Sequence, residues 1–102
     1  MIVVRNTFYI HPDRMKDAVV LAREGRALVK RLGFPVPRVT VDLAAEFYTL
    51  VLETEFASLT DFEARLPRNF ASEEWQAWYA RFTPLVRSGR REIFRVVEAD
   101  GY

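Results

Sequence analysis

The segment from Glu46 to Phe56 has the alternation of a β-strand, yet it places apolar side chains on both of its faces. One face carries Phe47 and Val51, and the other carries Tyr48, Leu50, Leu52 and Phe56. A chain of 102 residues has enough helix to cover only one side of a sheet. We therefore expect the second face to pack against another copy of the chain, which predicts a homodimer formed through the sheet.

The composition indicates a single folded domain over residues 1–102. Hydrophobic residues make up 50% of the chain and aromatic residues 14%, which is enough for a packed core. The chain contains no cysteine, so neither a disulfide framework nor a thiolate site is expected. Met1 to Ile10 already alternates like a strand, without the features of a signal peptide, and no apolar run approaches membrane length. We expect a cytoplasmic protein with no membrane partner.

The pattern of elements predicts an α+β fold. A strand at Ile2 to Ile10 precedes a helix that Gly33 ends, and two further strands are predicted at Arg38 to Leu43 and Glu46 to Phe56. Ser58 caps a helix that Pro67 should end, and Ser72 caps a second helix that Pro84 should end or kink. The last strand is read at Glu92 to Glu98. The order β-α-β-β-α-β predicts a ferredoxin-like plait, a four-stranded antiparallel sheet with helices on one face.

The charge pattern does not favour nucleic-acid binding. The chain carries 15 basic and 14 acidic residues, a net charge of +1. Basic residues of the first helix alternate with acidic residues at spacings that allow salt bridges, which is typical of a solvated face. RNA-recognition modules share the predicted topology but stack bases on a strand flanked by glycine and basic residues. The segment from Glu46 to Phe56 has neither, so no nucleic-acid partner is expected.

Four segments resemble the dimeric α/β-barrel superfamily. They are Met-Ile-Val-Val-Arg-Asn-Thr at the start, Pro12 to Arg14, Glu74 to Phe82, and Ser88 to Ile93. The NIPSNAP-like and antibiotic-biosynthesis-monooxygenase-like branches are the most similar, and the resemblance covers almost the whole chain. It implies a sheet-to-sheet homodimer. The superfamily includes cofactor-free monooxygenases, haem degraders, isomerases and members without known activity, so the resemblance leaves the reaction open.

Polar and aromatic side chains identify a candidate pocket between the sheet and the helices. Asn6 interrupts the apolar face of the first strand, so its amide either bonds to the backbone or orients a ligand. Aromatic residues at helical spacing are either core or part of a ligand site. The residues that we expect to contact a small aromatic or apolar ligand are Asn6, Tyr48, Trp78 and Phe82.

The resemblance also implies a catalytic set. In cofactor-free monooxygenases of this superfamily, an Asn, a Trp, a Tyr and an Arg orient a phenolic substrate. The corresponding residues here are Asn69, Trp75, Tyr79 and Arg95, with Arg91 as an alternative to Arg95. The haem-degrading branch uses an axial His, whereas no histidine occurs from Pro12 onward. No cofactor and no metal are therefore expected, and the single histidine, His11, is interpreted as a turn residue.

Three functions stay open at this stage. The first is a homodimer of undetermined activity that binds a small molecule, and the second is a cofactor-independent monooxygenase acting on a phenolic or polyketide-like substrate. The third is an isomerase or lyase whose base is Glu53 or Glu55, two carboxylates on one face of a strand. Arg95 is expected to form an ion pair with one of these carboxylates across the dimer.

Overall fold

The computed structural model describes residues 1–98. Its elements are β1 (Ile2–Ile10), α1 (Met15–Arg31), β2 (Arg38–Val41), β3 (Thr49–Phe56), α2 (Leu59–Ala71), α3 (Glu73–Phe82) and β4 (Val86–Arg95), with a 3₁₀ turn at Thr83–Leu85. The strands form one antiparallel sheet in the order β2-β3-β1-β4. The predicted ferredoxin-like plait is confirmed.

The central strand β1 sets which side chains face the helices. Asn6 lies opposite Leu52 of β3 and Arg91 of β4, so these three residues share the inner face of the sheet. The outer face carries the alternate residues of each strand. This alternation between the inner and the outer face decides which predicted site residues can reach a pocket beneath the helices.

Two buried apolar clusters lie between the sheet and the helices. The larger cluster joins β1, β3, α1 and α3 and contains Ile10, Ala18, Leu21, Ala22, Leu28, Leu50, Trp78 and Phe82. The smaller cluster joins β1, β3 and α2 and contains Val4, Phe56 and Phe62. Burial of this kind contributes about 25 cal/mol for each Å² of apolar surface removed from water. The helices therefore cover one face of the sheet, as the sequence predicts.

Gly25 of α1 allows close packing against α3. A Cβ atom at this position would lie 2.6 Å from Cε2 and Cζ2 of Trp78. The indole nitrogen of Trp78 donates a hydrogen bond to the backbone oxygen of Leu21 at 2.7 Å. The lack of a side chain at Gly25 thus admits the Trp78 ring of α3.

The helix ends largely follow the sequence signals. Gly33 has a φ of +79°, and the backbone nitrogens of Gly33 and Phe34 donate to the oxygens of Lys30 and Val29. These two bonds form a Schellman motif, which explains the glycine. The predicted caps at Ser58 and Ser72 are confirmed, since each hydroxyl accepts a backbone N–H three residues later.

Pro67 does not end α2, contrary to the prediction. The helix continues to Ala71, with the proline in its interior. An interior proline removes one backbone hydrogen bond but is tolerated when packing holds the helix on both sides. Phe62 before the proline and Asn69 after it are both buried, which supplies that packing.

The bounds of three strands also differ from the prediction. β2 ends at Val41, whereas we expected it to reach Leu43. β3 begins at Thr49, because Glu46 to Tyr48 form a bend rather than a strand. β4 begins at Val86 and ends at Arg95, whereas we expected Glu92 to Glu98. Pairing with β1 places the polar run of β4 in the sheet, with Gly89 opposite Phe8.

The outer face of the sheet is charged as well as apolar. Arg5 and Arg38 both contact Glu53 at 2.9 Å, and the Arg5 guanidinium lies 5.0 Å from the centre of the Phe94 ring. The pair expected between Arg95 and Glu53 or Glu55 across the dimer stays a prediction, and no such pair forms within residues 1–98. Arg95 lies opposite Ile2 on the inner face, while Glu53 lies opposite Arg5 on the outer face.

None of the helices within residues 1–98 combines the length and the apolar character that crossing a bilayer requires.

Candidate functional site

A cleft of about 460 Å³ lies between the inner face of the sheet and the three helices. Val4, Phe8, Leu52 and Phe56 contribute its floor from the strands. The wall comes from the helices and contains Phe62, Leu66, Trp75, Trp78, Tyr79 and Phe82. This volume is within the range of about 300 to 1,000 Å³ that is usual for ligand pockets.

Aromatic rings of α3 form one continuous side of the cleft. Trp75 and Trp78 have ring centroids 5.0 Å apart, and Tyr79 presents its edge to Trp75 at 6.2 Å. Trp78 stacks on Phe82 at 5.1 Å, and Phe82 in turn meets Phe8 of β1 edge-on at 5.1 Å. Such contacts fix the rings relative to each other, so the wall is rigid and preformed.

The two tryptophans differ in how their N–H groups are used. The Trp78 nitrogen is bonded to Leu21, so this residue contributes to the core as well as to the cleft. The Trp75 nitrogen is buried and has no acceptor among residues 1–98. Trp75 is therefore the tryptophan whose polar group is not used by the fold.

Asn69 lies in the last turn of α2, with a side chain only 6% exposed. Its side-chain oxygen is buried and accepts no hydrogen bond from residues 1–98. A buried polar atom without a partner costs about 1 to 3 kcal/mol. The cleft thus holds an amide whose oxygen has no hydrogen-bond partner among residues 1–98.

Asn6 has a different partner from the one expected. Its side-chain oxygen accepts a hydrogen bond from Nε of Arg91 at 2.8 Å, rather than from the backbone. Arg91 also lies over the ring of Phe62, with its guanidinium carbon 5.3 Å from the ring centre. Both contacts hold the Arg91 side chain against the inner face of the sheet.

Arg65 is a half-buried arginine on the inner side of α2. Its guanidinium lies over the rings of Phe34 and Phe56, at 5.2 and 5.4 Å from their centres. Its Nε is buried and has no hydrogen-bond partner among residues 1–98. Burial lowers the pKa of Arg65 from its ordinary value, because desolvation disfavours the charged form. The guanidinium nevertheless stays protonated in proteins.

The charge of the cleft lining has one sign. It includes five arginines and, within residues 1–98, no aspartate, glutamate or lysine. Arg87 is paired with Glu46 at 2.9 Å, Arg90 approaches Glu92 at 3.6 Å, and Arg26 donates to the backbone oxygen of Pro37 at 3.0 Å. The two others, Arg65 and Arg91, have no carboxylate partner among the described residues.

Six of the eight predicted site residues line this cleft, namely Asn6, Asn69, Trp75, Trp78, Tyr79 and Phe82. Tyr48 does not line it. It lies in the bend before β3, is 40% exposed and packs against Phe47. Arg95 also lies outside the cleft, because it is four residues beyond Arg91 along β4, a distance of about 13 Å in a strand. Arg91, the alternative to Arg95, is the arginine that the cleft contains.

Several chemically capable side chains lie away from the cleft. Glu53 and Glu55 face the outer side of the sheet. His11 is exposed near the start of α1 and does not line the cleft. In residues 1–98, no three His, Asp or Glu side chains come together as a metal site would require.

Arg65 is the cleft residue that the sequence reading missed. Phe62, Leu66 and Asn69 follow one another at spacings of four and three along α2, and Arg65 borders this stripe. The helical period could have revealed it if the helix had been extended past Pro67. Ending the helix there separated Arg65 from Asn69, which lies one turn later.

No protein-family model matches the chain, and no curated protein matches it. Solved structures do share its fold. A NIPSNAP family protein from Agrobacterium tumefaciens str. C58 is 24% identical, with a TM-score of 0.84, and the match covers 96% of this chain and 88% of that protein. An uncharacterized NIPSNAP-like domain protein from Burkholderia xenovorans is 14% identical, with a TM-score of 0.85, over 99% of this chain and 89% of that protein.

An antibiotic biosynthesis monooxygenase has the same fold. It is 14% identical, with a TM-score of 0.69, and the match covers 96% of this chain and 100% of the monooxygenase. These neighbours confirm the predicted resemblance to both branches at the level of fold. At such identities the fold is what the proteins share, and fold alone does not determine a reaction.

Proposed function

We propose that this protein binds a small aromatic or apolar organic molecule in the cleft between its sheet and its helices. The observation that carries the proposal is the combination of a 460 Å³ space and an aromatic wall with buried polar atoms that have no hydrogen-bond partner among residues 1–98. Those atoms belong to Arg65, Asn69 and Trp75, and all three residues line the cleft. Pockets for small molecules have this composition, with few polar groups set in an apolar surface.

The unpartnered atoms favour a binding role over a purely structural one. A core that served stability alone would gain by replacing Asn69 with an apolar side chain, because an unsatisfied buried group destabilises the fold. A bound molecule or an ordered water that supplied partners would offset that cost. The proximity of three such groups to one cleft supports a binding role for them.

Native mass spectrometry of the purified protein is the direct test, because it reports any retained molecule together with the number of subunits. The second measurement is a fluorescence titration with N-phenyl-1-naphthylamine, a neutral aromatic probe. Leu66→Trp should fill part of the cleft and weaken probe binding about tenfold or more. Leu59→Trp is the matched control, since Leu59 is on the same helix but outside the cleft. Equal affinity of both variants and the wild type would refute the proposed site.

A cofactor-independent monooxygenase is the second candidate. The observation that favours it is that Asn69, Trp75 and Tyr79 line one cleft together with Arg91. In this proposal Asn69 and Trp75 hold the substrate oxygen, Tyr79 donates a hydrogen bond, and Arg91 stabilises the substrate anion that reduces oxygen. The shared fold with an antibiotic biosynthesis monooxygenase is consistent with this candidate.

Oxygen consumption with a phenolic substrate such as 1-naphthol tests the second candidate. Tyr79→Phe should lower kcat while leaving stability nearly unchanged, because Tyr79 is 41% exposed and contacts the other rings only at its edge. Tyr9→Phe is the control, since Tyr9 lies on the outer face. Absence of substrate-dependent oxygen uptake would leave the binding function alone.

The isomerase or lyase with a carboxylate base is not supported. Its candidates Glu53 and Glu55 face away from the cleft, and the cleft lining within residues 1–98 has no other carboxylate. A general base must reach the proton that it removes, so neither Glu53 nor Glu55 can serve a substrate in this cleft.

We also propose that the protein forms a homodimer through the outer face of the sheet. Val3, Val51 and Phe94 give this face an apolar part, and the charge of Arg5 is balanced by Glu53 at 2.9 Å. A second sheet packed on this face would bury these side chains without leaving Arg5 unpaired. The charged residues make this face more polar than the strand pattern alone suggested.

A further inference from the structure

We infer that the ligand of the cleft is an organic monocarboxylate, with its carboxylate held by Arg65 and Arg91 and its apolar body against the aromatic wall of α3. This inference rests on the proposed binding function and adds the chemical class of the ligand. Its basis is the pattern of charge and pairing around the cleft.

The charged side chains that line the cleft all have the same sign. All charged side chains of the lining are arginines. A cleft with apolar walls concentrates the field of such charges and attracts an anion. Guanidinium groups also match a carboxylate geometrically, because two parallel N–H groups can donate to its two oxygens.

Two of the five arginines, Arg87 and Arg90, have a carboxylate neighbour. Arg26 donates its Nε to the backbone oxygen of Pro37, and Arg91 donates its Nε to the amide oxygen of Asn6. Arg65 and Arg91 have no carboxylate partner within residues 1–98. They lie on two rings, Phe56 and Phe62, whose centroids are 5.2 Å apart. Two unpaired cations therefore stand over one pair of packed rings.

Arg65 is costly to leave without a counter-charge. Its Nε is buried and has no hydrogen-bond partner in the described part of the chain, and burial lowers the pKa of its guanidinium. A partly buried charge is unfavourable unless a counter-charge compensates it. A bound carboxylate would provide that counter-charge and accept hydrogen bonds from the same group.

The neighbouring amides complete the site. Asn69, one helical turn after Arg65, lines the same cleft and can donate a hydrogen bond from its side-chain nitrogen. Asn6 accepts from Nε of Arg91 at 2.8 Å, which leaves the terminal nitrogens of that guanidinium to face a ligand. Asn6 is thus a positioning residue for Arg91.

The test compares two ligands that have nearly the same shape but differ in charge. The affinities of 2-naphthoate and 2-naphthamide are measured by isothermal titration calorimetry at pH 7 and low salt. We expect the carboxylate to bind about tenfold or more tightly, as charge-assisted hydrogen bonds do. Raising the salt concentration should weaken only the carboxylate.

Variants assign the preference to particular residues. Arg65→Gln and Arg91→Gln should each reduce the preference for naphthoate over naphthamide to threefold or less. Arg65→Lys should keep part of the preference because it keeps the charge. Arg68→Gln is the matched control, since Arg68 is on the same helix and lies over the Phe34 ring at 4.9 Å without lining the cleft.

The outcomes separate the two proposals. If naphthoate and naphthamide bind equally, the monocarboxylate inference fails while the binding function stands. If 2-naphthyl phosphate binds more tightly than naphthoate, the carboxylate assignment is overturned in favour of a phosphate. If Arg68→Gln changes the preference as much as Arg65→Gln does, the arginines act through general charge and the proposed anion site is wrong.

Discussion

The indole nitrogen of Trp78 and the backbone oxygen of Leu21 are joined by a 2.7 Å hydrogen bond between residues 57 positions apart in the chain. The bond fixes α3 against α1 and sets the orientation of the Trp78 ring. That ring stacks on Phe82 and touches Trp75, so the geometry of the cleft wall depends on this single contact.

Gly25→Ala tests that dependence. In an exposed helix the change would stabilise the protein by about 1 kcal/mol. Here the new Cβ would lie 2.6 Å from the Trp78 ring, and overpacking of this kind costs about 1 to 3 kcal/mol. We expect a net loss in the free energy of unfolding, measured by urea denaturation.

The control for Gly25→Ala is the same substitution combined with Trp78→Phe. A phenylalanine lacks the outer part of the indole ring, so the added methyl group should no longer destabilise the protein. Double-mutant cycles isolate such a coupling between contacting residues. An equal cost of Gly25→Ala in both backgrounds would mean that Trp78 is not the obstacle.

Asn69→Leu should separate stability from binding. Removing a buried oxygen without a partner should leave the free energy of unfolding unchanged or raise it by about 1 kcal/mol, while affinity for a carboxylate ligand falls. Ser58→Ala should do the reverse, because it removes the cap of α2 at a cost of about 1 kcal/mol outside the cleft. Thermal denaturation and calorimetry measure the two effects. A destabilised Asn69→Leu protein would assign a structural role to Asn69.

The ion pair between Arg31 and Glu74 predicts part of the pH dependence of stability. The hydrogen bond from Arg31 at 2.7 Å, and its charge, lower the pKa of Glu74 from its ordinary value of 4.5. A carboxylate with a lowered folded-state pKa stabilises the fold above its ordinary pKa, and this contribution is lost as the pH falls through the folded-state pKa.

Glu74→Gln should therefore lose less stability than the wild type as the pH falls from about 5 to about 3. Urea denaturation at several pH values measures the difference. Glu73→Gln is the control, because Glu73 lies in the same first turn of α3 but has no basic partner within residues 1–98. Parallel pH profiles for Glu74→Gln and the wild type would show that the pair does not contribute.

Val51→Glu tests the proposed dimer. Val51 lies on the outer face of the sheet, so a buried glutamate in the interface should give a monomer in native mass spectrometry. Leu43→Glu is the control, since Leu43 is fully exposed in the loop after β2. Leu50 is unsuitable for this test because it is 0% exposed in the core, and a charge there should unfold the protein. A Val51→Glu dimer would exclude this interface.

Most of the fold follows from local patterns in the sequence. β1 alternates clearly, and the serine caps of α2 and α3 precede regular helical spacing. β4 is harder to predict because Arg87, Ser88 and Gly89 have the composition of a loop, and only pairing with β1 makes them a strand. The helix through Pro67 likewise depends on tertiary packing, which overrides local propensity.

The candidate site could be predicted in residue type more readily than in position. The aromatic stripe of α3 identifies Trp75, Tyr79 and their neighbours by helical period alone. Arg91 and Arg95 lie on the same face of β4, so the alternation of a strand does not distinguish them. Which of the two lines the site depends on where the cleft ends along β4. The burial of Arg65 depends on Phe34 and Phe56, two residues distant in sequence that meet only in the folded chain.

Pro67 affects how fast a bound molecule can leave the cleft. Because proline has no backbone N–H, α2 lacks the hydrogen bond that position 67 would otherwise donate to the oxygen of Glu63, in the turn that leads to Asn69. Such a turn opens at a lower free energy than its surroundings. The backbone amide protons of Asn69 and Phe70 should therefore exchange with solvent faster than that of Phe62. The residence time of a bound molecule would then be governed by the opening of one helical turn rather than by unfolding of the domain.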